Sequence, residues 1–461
     1  MSRIRLSFDR GTLRIDGTVD SISELVRPDD RTGFHRAPAH HYAAVLEACR
    51  SRRLRVDDVV EPGLRSTRTS SPPPTLRPYQ EQALAAFHGF GRRGVIALPT
   101  GSGKTRVACA AIAQAGQNTL ILVPTRTLLE QWSAVLFAHF GEPVGIVGDG
   151  MKQLEAITVM TFESAYRCLD RHGDRFGMLV VDEVHHFASG ARAEALEMCP
   201  APIRLGLSAT PPLPGSLGAE RLRDLVGPVV FELEIADLAG RDLAALEIVR
   251  THVALTADER QSYERDVERF SALRREVLRL NPDADWLACV KAIARMPGGG
   301  DVLGAMYRAG ALASFPSAKR TAVRELLARH RGDRTLLFTA TADDAYAIAE
   351  EALVPVITAE VGRTERQAIL AAFRDRRVPA ICSARVLNEG VDVPEANVAI
   401  IVAGALGVRE HVQRIGRILR PQADKRAIAY ELVTMDTVDE ARTRARGRRF
   451  AAGRSSPHHR A

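Results

Sequence analysis

Residues 98–105 read Leu-Pro-Thr-Gly-Ser-Gly-Lys-Thr and stand between two apolar runs, Gly-Val-Ile-Ala-Leu at 94–98 and Val-Ala-Cys-Ala-Ala-Ile at 107–112. A short apolar run, a glycine-rich turn and a helix-prone apolar segment read as strand, phosphate loop and helix. That order commits this part of the chain to an α/β layer built on a parallel sheet. Around Thr100, Gly101, Ser102 and Gly103 the backbone N–H groups can approach a polyphosphate, Lys104 supplies charge, and Thr105 can ligate Mg²⁺. A glycine turn with a solvent-facing lysine is the bland alternative, and the flanking apolar runs argue against it.

At 461 residues the chain exceeds the usual size of one core, so two or more domains are expected. Its apolar stretches are broken well before membrane-spanning length, and residues 1–9 alternate like a strand instead of forming a leader. A cytoplasmic protein without a membrane partner is the expectation. The six cysteines, Cys49, Cys109, Cys168, Cys199, Cys289 and Cys382, show no Cys-x-x-Cys spacing, which argues against a disulfide framework or an iron–sulfur cluster. A formal charge of +7 and a pI near 9.3 suit a polyanionic partner. Residues 441–461 are arginine-rich without a carboxylate side chain, and read equally as a DNA-touching tail or a solubilising end.

The chain divides by pattern. Residues 1–65 hold a hairpin, 3–8 and 12–15 around Asp-Arg-Gly, then a helix near 40–50; residues 66–75 carry the serine- and proline-rich linker. Residues 76–250 alternate strands and helices, with strands expected at 95–98, 119–123, 156–160, 178–181 and 204–207. Residues 251–332 turn charged and helical, a helical insertion or connector. A second alternating series occupies 333–440, with strands at 334–338, 356–358, 378–382 and 398–402, and the basic tail follows. The expected fold is α/β: two tandem nucleotide-motor-like parallel-sheet lobes with a small amino-terminal domain and a helical insertion.

A second motif completes the first. The apolar run at 177–181 delivers Asp-Glu-Val-His-His at 182–186 to a strand end, where Asp182 can hold Mg²⁺ and Glu183 can take a proton from attacking water. His185 is a candidate coupling residue and His186 a packing group. The run Ser-Ala-Thr-Pro at 208–211 can relay nucleotide state through its hydroxyls. Ahead of the loop, Gln80 can recognise an adenine edge, with Arg77 and Tyr79 positioning the ring. In the second series, Gln413, Arg417 and Arg420 stand at helical spacing, so one face can present guanidinium groups to a phosphate. Gly390 and Asp392 lie in the segment 383–394 and are further nucleotide contacts. The expected catalytic set is Lys104, Asp182, Glu183, Gln413, Arg417 and Arg420, with ATP and Mg²⁺ as cofactors.

On the motifs at 76–80, 98–105, 182–186, 386–397 and 413–420, the sequence resembles superfamily 2 helicases, and most closely the XPB-like DNA helicases of archaea and bacteria. The resemblance implies ATP-driven movement with 3′-to-5′ polarity and a role in opening damaged or promoter DNA. It implies two tandem RecA-like lobes at 76–250 and 333–440, a damage-recognition-like domain at 1–65, and a thumb after residue 256 in the helical connector or thumb-like region 251–332. It assigns Gln80 to adenine, Lys104 and Thr105 to phosphate and Mg²⁺, Asp182 and Glu183 to Mg²⁺ and water activation, and Arg417 and Arg420 to the γ-phosphate. One departure stands out. Such relatives commonly carry Arg-Glu-Asp, associated with strand separation, soon after Ser-Ala-Thr, where this chain has Pro-Pro-Leu-Pro-Gly-Ser at 211–216.

The expected partner is DNA, whether duplex, forked or single-stranded, with RNA ranked below it and a nuclease or repair protein as a further partner. Candidate phosphate contacts are Thr125, Arg126, Thr161 and Arg385, in loops after strands; Trp132 reads as core packing. Competing readings are a duplex translocase serving a nuclease or defence complex, and an ATP-controlled DNA scaffold.

Overall fold

The computed structural model of the chain describes residues 3–17, 19–60, 72–238, 241–242, 245–384, 396–403 and 426–444. Most of the expected linker and the basic tail beyond 444 fall outside them. The chain forms two compact units, the first made by residues up to Leu238 and the second beginning at Ala239.

The first unit opens with a five-stranded sheet in the order Arg27–Asp29, Phe34–Pro38, Thr12–Gly17, Arg3–Asp9, Arg55–Asp58. Its hairpin closes through Arg10 and Gly11, both left-handed (φ 46° and 80°), the conformation that matches the twist of paired strands. Alternation then does the rest. Ile4, Leu6, Leu13 and Ile15 point to one face and are buried with Tyr42, Val45 and Cys49 of the helix Tyr42–Ser51. Gly11 also marks the contact with the lobe behind it: a β-carbon there would lie 2.5 Å from the Met198 side chain.

The rest of this unit is an eight-stranded sheet in the order Val229–Glu232, Arg93–Ala97, Ile203–Ser208, Met178–Val181, Thr119–Val123, Ile157–Thr161, Val144–Gly148, Met151–Gln153. All pairs are parallel except the last hairpin. The four strands from Ile203–Ser208 to Ile157–Thr161 are buried throughout, which is why they read as continuous apolar runs. Arg204 is the exception in chemistry. Fully buried, it donates to the carbonyls of Leu196, Cys199, Ala201 and Leu225, and burial pulls its pKa down to about 10.

The second unit holds a six-stranded, all-parallel sheet in the order Ala245–Val253, Arg426–Thr434, Val398–Ile401, Thr335–Thr339, Ala380–Ala384, Val356–Ile357. The helices Ala257–Leu280, Trp286–Ala294 and Gly299–Ser314 pack on one another through clusters of their own around Phe270, Val277, Cys289 and Ile293 and around Tyr263 and Ala309. The long one starts at a capping box made by Thr256 and Glu259.

Two expected boundaries move. Residues 245–250, assigned from pattern to the first lobe, begin the edge strand of the second sheet, because their pairing partner is Arg426–Thr434. The helix Ser317–Arg329, assigned to the connector, buries Val323 and Leu326 in the core of the second lobe. Its Lys319 is fully buried, 2.8 Å from Asp439 and 2.6 Å from the Val402 carbonyl oxygen.

Candidate nucleotide and DNA site

The phosphate loop lies where expected, between the strand Arg93–Ala97 and the helix Lys104–Ala115. Gly101 and Gly103 are left-handed (φ 86° and 83°), and a β-carbon on Gly103 would come within 2.6 Å of Gln80 Nε2. Glycine is therefore required there on two counts. Lys104 Nζ donates to the carbonyls of Leu98 (3.1 Å) and Pro99 (3.4 Å), and Ser102 Oγ donates to Pro99 (2.7 Å). Thr100 precedes the first of these glycines, and Thr105 is the second residue of the helix.

Gln80 and Tyr79 brace this loop. The Tyr79 hydroxyl and the Gln80 amide both donate to the Ser102 carbonyl, at 2.6 and 2.7 Å, while Gln80 Oε1 accepts from the Arg77 backbone N–H at 3.0 Å. Both side chains are buried. Two of the amide's four hydrogen-bonding capacities are thus used inside the protein.

The strand Met178–Val181 ends in Asp182, which is buried. Its Oδ1 accepts from the Glu183 backbone N–H at 3.0 Å and its Oδ2 from the Trp132 indole at 2.9 Å. Burial pushes the Asp182 carboxyl upward; the Trp132 hydrogen bond, the nearby charge of Lys104 and the Glu183 N–H pull against it. Lys104 and Asp182 are thus close enough to interact. Glu183 sits at φ 50°, strained for a residue with a side chain, at the head of the turn Val184–Ser189. From that turn the buried His185 places Nδ1 3.0 Å from Ser208 Oγ and 3.4 Å from Glu183 Oε2, so one ring bridges the acidic motif and the Ser-Ala-Thr segment. Ser208 Oγ also accepts from the Thr210 N–H at 3.0 Å. His186 stacks on His185.

Thr125 caps the helix Arg126–Phe140 by accepting from the Leu128 N–H, and Thr161 caps Phe162–His172 through the Ser164 N–H. Because the preceding strands are parallel neighbours, both helix starts lie at one edge of the sheet. Arg126 pairs with Asp149 at 2.6 Å. Gly390, Asp392, Gln413, Arg417, Arg420 and Arg385 lie outside the described residues.

Sequence reasoning missed the second role of Trp132. Its ring is core packing, as expected, but its N–H reaches a motif residue fifty positions away in sequence. The available signal was that a buried indole needs an acceptor.

Three families match: the type III restriction enzyme res subunit at residues 74–213, the helicase conserved C-terminal domain at 318–422, and the xeroderma pigmentosum group B helicase damage recognition domain at 6–60. The DNA 3′-5′ translocase XPB2 of Sulfurisphaera tokodaii is 36% identical over 80% of this chain and 84% of its own. The DNA 3′-5′ helicase XPB of Mycobacterium tuberculosis is 31% identical over 82% of this chain. Of that relative the chain spans 64%, and of the XPB of Kineococcus radiotolerans 61%, under two-thirds of each. Among solved structures, the Pyrococcus furiosus Hef helicase domain aligns with a TM-score of 0.54 at 18% identity, over 80% of this chain and 98% of that one. Saccharomyces cerevisiae Dbp5, solved with RNA and ADP BeF3, aligns with a TM-score of 0.55 at 15% identity, over 81% of this chain and 87% of that one. These two carry the fold alone. On the sequence relatives and the matched domains, this chain belongs to the XPB family of superfamily 2 helicases.

Proposed function

We propose that this chain couples ATP hydrolysis to 3′-to-5′ movement along DNA, opening forks in the course of DNA repair. One observation carries the reading furthest. Lys104 opens the helix that follows one strand of the sheet, the Asp182–Glu183 pair follows another, and His185 joins that pair to Ser208.

Lys104 exchanges the Leu98 and Pro99 carbonyls for the β- and γ-phosphates of ATP, which the loop N–H groups also hold. Asp182 and Thr105 are hard oxygen donors of the kind Mg²⁺ takes, and a buried carboxylate beside a cation suits a hydrated ion held jointly with phosphates. When bound, Mg²⁺ screens the charge of the β- and γ-phosphates. Glu183 accepts a proton from the water attacking the γ-phosphorus; the bond to the bridging oxygen breaks, and ADP and phosphate separate. Protonation of Glu183 alters its contact with His185 and so reaches Ser208. Gln80 spends its two remaining capacities on the adenine edge, with Arg77 beside it. Gln413, Arg417 and Arg420, with Gly390 and Asp392, are assigned to the nucleotide on their sequence motifs alone.

On the DNA side, the helix starts at Thr125 and Thr161 offer backbone N–H groups to phosphates, with Arg126 and Arg385 adding charge. Such contacts position a backbone without reading bases, so weak sequence preference and steep salt dependence follow.

A second reading, translocation on duplex without strand opening, for instance beside a nuclease, is favoured by residues 211–216. They hold no charged side chain and form no helix or strand. The experiment measures ATP turnover with and without duplex, forked and single-stranded DNA, together with opening of the same fork and a Lys104→Ala control. Turnover that DNA stimulates and Lys104→Ala lowers by about 100-fold or more, the scale expected from losing a transition-state charge contact, supports the motor. Fork opening then selects the helicase, and its absence the translocase. Unstimulated turnover with persistent ATP-dependent DNA binding would replace both with a scaffold.

A further inference from the structure

Away from the nucleotide loop, His40, His41 and Asp224 bring three ligand atoms within 4.8 Å of one another. The histidines end the tight turn Ala39–His41 of the amino-terminal module, fixed between Pro38 and the helix Tyr42–Ser51. Asp224 comes from the helix Leu217–Leu225 of the first lobe. Both imidazoles turn the same nitrogen to the one carboxylate: His40 Nε2 lies 3.2 Å from Oδ2 and His41 Nε2 3.5 Å from Oδ1. The rings are tilted 54° with centroids 4.1 Å apart. His40 is 3% exposed, and the Nδ1 atoms of both rings are buried without a hydrogen-bond partner.

We propose that His40, His41 and Asp224 bind a transition-metal ion of the Zn²⁺ class that fastens the amino-terminal module to the first lobe. Zinc–nitrogen and zinc–oxygen bonds of about 2.0–2.1 Å put neighbouring ligands of a tetrahedral ion about 3.3–3.4 Å apart. The 3.2 and 3.5 Å separations run to different oxygens of the Asp224 carboxylate, and the three ligand atoms, taken one per residue, lie within 4.8 Å, so the exposed Asp224 side chain turns to close that spread on an ion. Two imidazoles with a carboxylate suit zinc and its neighbours in the transition series, whereas Mg²⁺ and Ca²⁺ prefer oxygen donors alone. Water takes the fourth position; Glu197 is a neighbouring acid whose carboxyl is pushed upward by burial first and then by the charges of Glu194 and Asp224, with His41 pulling against them. The cations Arg93 and Arg204 work against an ion here. Arg204, however, spends its donors on four carbonyl oxygens, and Arg93 reaches the Asp224 carbonyl rather than its carboxylate.

The test titrates nucleotide-free, full-length protein with Co²⁺ and then displaces it with Zn²⁺. The expected result is one equivalent of Co²⁺ with intense visible bands of a tetrahedral nitrogen–oxygen site and no thiolate charge-transfer band, together with a Zn²⁺-dependent rise in melting temperature. Asp224→Asn and His41→Gln should each weaken binding by about tenfold or more, on the scale of disturbing a metal's ligand set. His458→Ala with His459→Ala in the tail should leave it unchanged. His41 is only part-buried, so His41→Gln keeps the test readable should Asp224→Asn fold poorly. Absence of saturable binding, thiolate bands, or equal binding by His41→Gln and parent would each overturn the proposal.

Discussion

Trp132 shows how much a single side chain can carry beyond its volume. Its ring fills the core between helix and sheet while its N–H holds one oxygen of Asp182. Trp132→Phe keeps the ring and deletes the donor. A hydrogen bond to a charged group is worth about 1.5–3 kcal/mol, which corresponds to roughly tenfold or more in an equilibrium. We therefore expect the Mg²⁺ concentration for half-maximal ATPase to rise about tenfold, with circular dichroism and melting temperature near those of the parent. A fall in melting temperature with unchanged Mg²⁺ dependence would reduce Trp132 to packing. The positions of the loop and the acidic pair were legible because they are local patterns whose chemistry is written in adjacent residues. The bonds that join Trp132 to Asp182 and His185 to Ser208 run between distant segments, and no periodicity announces them.

At the level of elements, legibility followed burial. The strands Thr119–Val123 and Met178–Val181 fall on the expected residues because both faces are covered and the run is apolar from end to end. The edge strand Ala245–Val253 is divided by its sequence pattern, with 245–250 given to the first lobe and 251–253 to the connector. Its alternating, half-exposed composition is that of an edge, and its partner lies far along the chain. The helix Ser317–Arg329 was misplaced for a related reason: it is docked by Lys319, a residue type that rarely marks a core. The Lys319–Asp439 pair is accordingly a point of dependence. Lys319→Met leaves Asp439 buried without its cation and should cost about 3–5 kcal/mol in denaturant unfolding of the second lobe. Adding Asp439→Leu should recover part of the loss. A neutral single variant would show that the pair is not holding the helix.

Taken as a whole, the molecule divides before the edge strand, and a truncation series checks that division. Residues 1–240 complete the first eight-stranded sheet and should purify as a soluble monomer that binds nucleotide; residues 1–255 add Ala245–Val253 without its partner and should aggregate more readily. Equal solubility by size-exclusion chromatography would place the boundary elsewhere. The same pairing also sets a timetable during synthesis. About 170 residues separate the edge strand from the strand that receives it, and at ribosomal speeds that interval lasts on the order of ten to thirty seconds. Throughout that interval Leu246, Ile248 and Val249 are exposed to neighbouring nascent chains, and Glu247, Arg250 and His252 between and beside them are the charges and polar groups that discourage wrong pairing.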